Sequence, residues 1–157
     1  VQETILYRLW NDKKAMFLAA IDHVFSLSLG IWSEQASTAG ADSPAEKVLA
    51  YEAEHLGEFG LYRILFAGIG EGDDPEIRNA VRSSYRKVQR WIEEQVSEHR
   101  KSTVFDDEPT VDPGPAAWAA VGLGIIVSIG RELDFFNDDD RARLLSDVGR
   151  LLLGGGR

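Results

Sequence analysis

The first 22 residues, VQETILYRLWNDKKAMFLAAID (residues 1–22), contain the end of one helix, a polar break and the start of a second helix. Apolar residues recur at helical spacing as far as Trp10, and the polar pair Asn11 and Asp12 interrupts the pattern. Asp12 is suited to an N-cap, because its short carboxylate accepts a hydrogen bond from a free N–H group of a first turn. We therefore predict a second helix over residues 12–29 with an apolar stripe along one side.

Helical periodicity continues along the remainder of the chain, and almost no stretch alternates with period two. N-caps at Asp74 and Asn137, first-turn prolines, early acids and a closing run of glycines mark the ends of the predicted helices. The further predicted helices span residues 44–56, 61–67, 74–101, 115–136 and 138–153. Stretches rich in Gly, Pro, Ser or Asp are predicted loops, at residues 33–43, 68–73 and 102–114. The pattern predicts a single all-α domain.

The composition is that of a soluble globular protein. The chain has 157 residues, of which 44% are hydrophobic and 27% are charged, enough for one domain with a core. It has no cysteine, which excludes disulfides, thiolate metal sites and cysteine nucleophiles. It begins at Val1 without a basic segment followed by an apolar one, so we expect a fragment or processed chain without a signal peptide.

The longest uncharged run, residues 113–130, opens with two prolines, and its helical part falls short of the roughly 20 apolar residues that cross a bilayer. We therefore expect a cytoplasmic protein without membrane contact.

The net charge of −9 argues against binding of nucleic acid by this chain alone. Affinity for phosphates comes from clustered Lys and Arg, whereas here 17 such residues are scattered among 26 acids. A DNA-binding function would therefore depend on a basic segment upstream of Val1.

The N-terminal stretch resembles the end of the helix-turn-helix in the TetR (tetracycline-repressor) family. The recognition helix of that family commonly ends in a Leu-Tyr-x-x-aromatic run, followed by a small or polar pair, a Lys and an apolar helix. The matching residues in this sequence are Leu6, Tyr7, Trp10, Asn11, Asp12, Lys13, Met16 and Phe17. The resemblance implies a TetR-like helical bundle, with the end of a DNA-binding head at residues 1–29 and an effector-binding and dimerisation domain at residues 30–157. The alternative is that residues 6–10 are a helix end packed in a core.

In a helix-turn-helix, the exposed N-terminal part of the second helix contacts base edges in the major groove. The candidates for base contacts are Gln2, Glu3 and Thr4. The candidates for phosphate contacts are Tyr7, Arg8 and Lys13. The charge of Lys13 adds to the positive end of the following helix, which favours an anion there.

The last two predicted helices match the pair that TetR-like proteins use to dimerise as a four-helix bundle. Small residues, mainly Ala and Gly, make the helix at 115–136 thin enough for close approach of another helix. It has no full polar face, so nearly every side requires a cover. A homodimer is therefore expected; the alternative is the central helix of a monomeric bundle.

Aromatic residues between the two ends of the chain suggest a pocket for a small hydrophobic effector. Four candidates fall on roughly one helical face, namely Tyr51, His55, Phe59 and Tyr62. Trp91 and Trp118 are expected to face them from the next two helices, and His55 or Arg63 to orient the ligand. The alternative is that these aromatics form ordinary core packing.

Signals for enzymatic chemistry are sparse. Glu52 and His55 form one Glu-x-x-His motif, whereas a di-iron site in a helical bundle needs two such motifs and further carboxylates. The sequence has no Gly-x-Ser-x-Gly, no phosphate-binding loop and no His-Glu-x-x-His. We predict a ligand-responsive regulator, a repressor released from its operator DNA by an effector, that is no enzyme and needs no cofactor. The alternative is a metal-binding helical bundle or di-iron-like enzyme that does not bind DNA.

Overall fold

A computed structural model describes residues 12–40, 43–57, 62–104 and 111–154 of the chain. In these ranges the chain forms α-helices and no β-strand, so the all-α prediction is confirmed. The helices are α1 (Lys13–Ser37), α2 (Pro44–His55), α3 (Tyr62–Gly70), α4 (Pro75–Ser102), α5 (Pro113–Glu132) and α6 (Asp138–Leu153).

Side-chain caps set the starts of four helices. In each, a side-chain oxygen of the preceding residue accepts a hydrogen bond from a first-turn N–H group that has no partner within the helix. These caps are Asp12, Ser43, Asp74 and Asn137. Ser43 also forms a capping box, because the Glu46 carboxylate accepts a hydrogen bond from the Ser43 backbone N–H. The caps predicted at Asp12, Asp74 and Asn137 are therefore confirmed.

Helix α1 is longer than the sequence pattern predicts. The predicted end at residue 29 and the predicted loop from residue 33 are wrong, since the helix continues through Gly30 to Ser37. A glycine inside a helix costs only about 1 kcal/mol. The added turns bring Ile31 and Trp32 to the interior of the bundle, and packing of these side chains outweighs that cost.

Helix α5 begins and ends earlier than predicted. It begins at Pro113 rather than at residue 115 and ends at Glu132 rather than at residue 136. Asp134 adopts a left-handed conformation with φ of 54°, which helical geometry excludes. The chain therefore turns before Asn137 starts the last helix.

Helix α4 is the central element of the bundle and packs against each of the other five helices. Its buried apolar residues repeat at helical spacings and belong to two core clusters. With α1 and α3, α4 forms the largest cluster, whose buried members are Ile21, Val24, Phe25, Leu65, Ile77, Val81 and Val88. A third cluster joins α2, α5 and α6 through Ala53, Leu56, Val127 and Leu145. The space between these clusters contains the candidate site.

The end of α6 is held against α4 by an arginine. The Arg100 guanidinium donates hydrogen bonds to the backbone oxygens of Leu153 at 3.1 Å, Leu152 at 2.8 Å and Val111 at 2.6 Å. Two of these oxygens lie in the last turn of α6, where carbonyl groups lack partners within the helix. Gly154, with φ of 107°, then ends the helix in the left-handed conformation.

Candidate ligand cavity

The described helices enclose a cavity of about 210 Å³, and each of the six contributes lining residues. Most of the lining is apolar, as is typical of sites for small organic ligands. For comparison, an engineered apolar cavity of about 150 Å³ is large enough to bind benzene. The cavity in this protein therefore has room for a molecule with one aromatic ring and a short chain.

Paired aromatic rings form much of the cavity wall. The ring centroids of Trp32 in α1 and Trp91 in α4 lie 5.5 Å apart. Phe25 and Tyr85 meet edge to face at 5.3 Å, again between α1 and α4. All four residues line the cavity. Because edge-to-face and tilted ring pairs at these distances are favourable, the wall on the α1 side is a packed surface.

A glutamate carboxylate lies in this apolar site. The Trp32 indole Nε1 donates a hydrogen bond of 2.6 Å to Oε1 of Glu52, which joins α1 to α2. Burial raises the pKa of Glu52, and the Trp32 hydrogen bond and the nearby His55 oppose that rise. The free-energy cost of a charged group away from water makes this position unfavourable for a carboxylate unless a partner compensates it.

Two tyrosine hydroxyls belong to the same polar region. Burial raises the pKa of Tyr62, and the negative charge of Glu52 raises it further, so these two groups lie near each other. Burial also raises the pKa of Tyr85. Among the described residues, the buried Tyr85 hydroxyl has no hydrogen-bond partner. An unsatisfied buried hydroxyl costs about 1–3 kcal/mol, so Tyr85 has a free hydrogen-bonding group to offer a ligand.

His55 is oriented by its own helix. Its Nδ1 lies 2.9 Å from the backbone oxygen of Tyr51, and the two rings stack with centroids 4.3 Å apart. Because a carbonyl oxygen only accepts hydrogen bonds, Nδ1 carries the hydrogen. In the neutral ring, Nε2 is then the acceptor, so His55 adds a further polar group to the cavity wall.

The structure brings together four of the predicted ligand-binding residues. Tyr51, His55, Tyr62 and Trp91 all line the cavity. Phe59 lies outside the described residues.

The predictions for Trp118 and Arg63 are wrong as to where the side chains lie. Trp118 is 49% exposed and does not line the cavity. The opposite side of α5, with the fully buried Ala116 and Ala117, packs inward instead, because small residues allow α5 to approach α4 closely. Arg63 is on the surface, where its Nη2 lies 2.8 Å from Oε2 of Glu132.

The predicted DNA contacts fall mostly outside the described residues, among them Gln2, Glu3, Thr4, Tyr7 and Arg8. Lys13 is the first residue of α1 and is exposed to solvent. The neighbouring Asp12 carboxylate accepts a hydrogen bond from the Ala15 N–H at 2.7 Å. Lys13 is thus accessible at a helix start, as expected, and its contact with DNA stays a prediction.

Most residues of the cavity wall were not predicted as ligand contacts from the sequence, and the most important of these are Trp32, Glu52 and Tyr85. Trp32 stands next to the predicted loop, and Tyr85 belongs to an ordinary apolar repeat on α4. Glu52 was considered only as a metal ligand. The one available signal was the position of an acid three residues before His55, on the face that carries the predicted aromatic residues.

A metal site finds no support in the part of the chain that the structure describes. No group of three His, Asp or Glu side chains there is arranged to hold a metal ion. Glu52 and His55 both line the cavity, but Trp32 occupies one carboxylate oxygen and His55 Nδ1 is bonded to its own helix.

Comparisons with known proteins add no relative. No protein-family model matches the chain, and no curated protein or solved structure is significantly similar to it. In the described residues, the fold and the site define an all-α protein with a mostly apolar cavity whose lining includes one carboxylate.

Proposed function

We propose that this chain is the effector-binding and dimerising body of a TetR-like, ligand-responsive transcriptional regulator that acts as a repressor. The observation that carries the proposal is the course of α1. This helix starts directly after the stretch that resembles the end of a helix-turn-helix, and its later turns form a wall of the cavity. One rigid helix therefore connects the proposed DNA-binding end with the proposed effector site.

In the proposed mechanism, the effector shifts the population between two positions of α1. Val24, Phe25 and Trp32 would contact the bound molecule, so a ligand that fills the cavity favours an outward position of the helix. At its other end, α1 is tied to α4 through Lys14, whose Nζ lies 2.8 Å from Glu76 Oε1 and 3.4 Å from Asp74 Oδ2. These ion pairs are partly exposed and therefore weak, so they oppose a shift of α1 only slightly. Since half-sites on DNA lie about 34–36 Å apart, a small change in the separation of two heads would release the operator.

The proposed homodimer would form through α5 and α6, which pack side by side. Exposed apolar residues on their outer surface include Trp118, Ile126, Leu133 and Leu151. We call these four residues the outer apolar face. Exposed large apolar residues on a packed pair of helices are candidates for an interaction site. A second copy of the same face would cover it by two-fold symmetry.

Two of the helices, α1 and α5, are also long and apolar enough to cross a membrane by length and composition alone. Ile21 of α1 and Val127 of α5 are completely buried in the core of the bundle, but only 17% of the apolar window of α1 and 33% of that of α5 are buried. The proposed dimer would cover more of α5. As a DNA-binding regulator, the protein would act in the cytoplasm, without membrane contact.

The test is DNA binding by the full-length gene product, measured by fluorescence anisotropy on DNA from its own promoter over a salt series. We expect saturable binding that exceeds binding to a scrambled sequence and weakens as salt rises. Lys13→Ala should lower the affinity by removing one phosphate contact, whereas the control Lys101→Ala, exposed at the far end of α4, should not. A folded dimer without sequence preference at any salt concentration would disprove the regulator.

A further inference from the structure

The cavity points to the chemical class of its ligand. We propose that it binds a lipophilic amine in its protonated form, with the ammonium group on the Glu52 carboxylate and the apolar part among the aromatic rings. This inference deepens the proposed function and rests on it in one respect, namely that the cavity is a ligand site.

The charge balance of the cavity is the first observation. Among the described residues that line it, Glu52 is the only acid, and none is Lys or Arg. His55 is the one histidine among these described lining residues. A partly buried carboxylate without a fixed cation favours a ligand that brings positive charge, and it repels an anionic ligand.

The hydrogen bonds of Glu52 are the second observation. An ionised carboxylate can accept about four hydrogen bonds. Among the described residues, the Trp32 indole is the only donor that reaches it, and it reaches Oε1. Oε2 thus has capacity for a donor from the ligand. An ammonium group supplies up to three N–H donors together with the charge, and such charge-assisted bonds are roughly twice as strong as neutral ones.

The aromatic lining is the third observation. Trp and Tyr rings attract cations through the negative potential over their faces, and Trp32 and Trp91 form a tilted pair in the cavity wall. The Tyr62 hydroxyl lies near the carboxylate, since the charge of Glu52 raises the pKa of Tyr62. The unpartnered Tyr85 hydroxyl can accept a further N–H of the ammonium. A neutral hydrocarbon would satisfy neither Glu52 nor Tyr85.

The experiment compares three ligands of nearly equal shape that differ in charge: phenylpropylamine, phenylpropanol and phenylpropanoate. Binding to the full-length protein without DNA is measured by titration calorimetry at neutral pH. We expect the amine to bind at least about tenfold more tightly than the alcohol, because its bond to Glu52 is charge-assisted. The carboxylate should bind more weakly than the alcohol.

Glu52→Gln assigns the effect to the carboxylate. In this variant, affinity for phenylpropylamine should fall to within about twofold of that for phenylpropanol. The alcohol should bind as before, which also shows that the variant is folded. The matched control is Glu54→Gln, an exposed glutamate two residues away on the same helix, and it should leave all three affinities unchanged.

Several outcomes would overturn the amine proposal: equal or better binding of the alcohol or the carboxylate by the wild-type protein, binding of none of the three, or an amine preference that survives in Glu52→Gln. The wild-type comparison stands even if the variant does not fold. DNA binding is measured separately and without ligand. Loss of the amine preference therefore leaves the regulator intact, and a failure to bind DNA leaves the ligand class intact.

Discussion

The cavity wall and the outer face of α5 contain similar residues in opposite surroundings. Trp91 lines the cavity and packs on Trp32, whereas Trp118 is half exposed on the outer side of α5. Both tryptophans lie in predicted helices, and both are predicted to face the ligand. Helical periodicity thus identifies apolar faces, whereas the packing of neighbouring helices decides whether such a face closes a pocket or remains available to a partner.

The largest effect on stability should come from a substitution in the packed interior. Ile21 is completely buried between α1 and α4, whereas Ile126 is 44% exposed on the outer apolar face. Ile21→Ala should lower the free energy of unfolding by about 2–5 kcal/mol, since it leaves a cavity in packed core. In the matched variant Ile126→Ala, the free energy of unfolding of the monomer should fall by less than about 1 kcal/mol. Urea denaturation of both variants, at concentrations where the protein is monomeric, measures the difference. Equal decreases in the free energy of unfolding would contradict the contrast between the two positions.

The next effect concerns the outer apolar face. Ile126→Glu should weaken the dimer at least about a hundredfold, because it buries an unpaired charge at the interface. Light scattering after size-exclusion chromatography measures the shift to monomer. Arg90→Glu, an exposed change on α4, is the control and should leave the dimer intact. A wild-type protein that is monomeric at every concentration would show that the outer apolar face has another use.

A smaller effect, on how stability depends on pH, should come from the Glu52 carboxylate in the cavity wall. Burial raises the pKa of Glu52 in the folded protein above its ordinary value of 4.5. The folded state therefore holds this proton more tightly, and its stability falls as pH rises from the unfolded pKa through the folded one. The Glu52→Gln side chain can still accept the Trp32 hydrogen bond. Its stability should therefore equal that of the wild type below this pH window and exceed it by the full amount above the window.

For a chain of this size, each kcal/mol of that advantage corresponds to about 2–4 °C in Tm. Thermal unfolding of the wild type, Glu52→Gln and the exposed control Glu54→Gln over a pH series measures it. A Tm difference between Glu52→Gln and wild type that does not change with pH would contradict the assignment to an ionised, buried carboxylate.

The smallest effect should come from the unpartnered hydroxyl. Tyr85→Phe should raise the free energy of unfolding by about 1 kcal/mol in the absence of ligand, because it removes a buried group without a hydrogen bond. Tyr62→Phe should instead lower it by a similar amount, since the nearby Ser128 side chain, which opposes the rise in the pKa of Tyr62, gives the Tyr62 hydroxyl a polar neighbour. Denaturant titrations of the two variants should therefore shift in opposite directions. A shift in the same direction would mean that Tyr85 has a partner in solution.

Much of the local structure follows from particular short-range signals. The Asp74-Pro75 start of α4 and the Asn137 start of α6 are correct to the residue, because a cap acts through atoms at most three residues away. The predicted end of α1 is wrong, because Trp32 in its last turns is held by Glu52 and Trp91, which lie far along the chain. Residues 33–37, the first part of the predicted loop, are therefore helical where local propensity favours a loop.

Local sequence patterns predict the all-α class, most helix boundaries to within a residue and four of the aromatic or imidazole residues in the cavity. These depend on periodicity and capping, which act over one or two turns. Tertiary packing alone places Trp118 on the outside, pairs Arg63 with Glu132 at the surface and brings Glu52 and Tyr85 into the wall of one apolar cavity. The reason is that burial and hydrogen-bond satisfaction depend on the rotation and spacing of helices distant in the chain, which no local pattern contains.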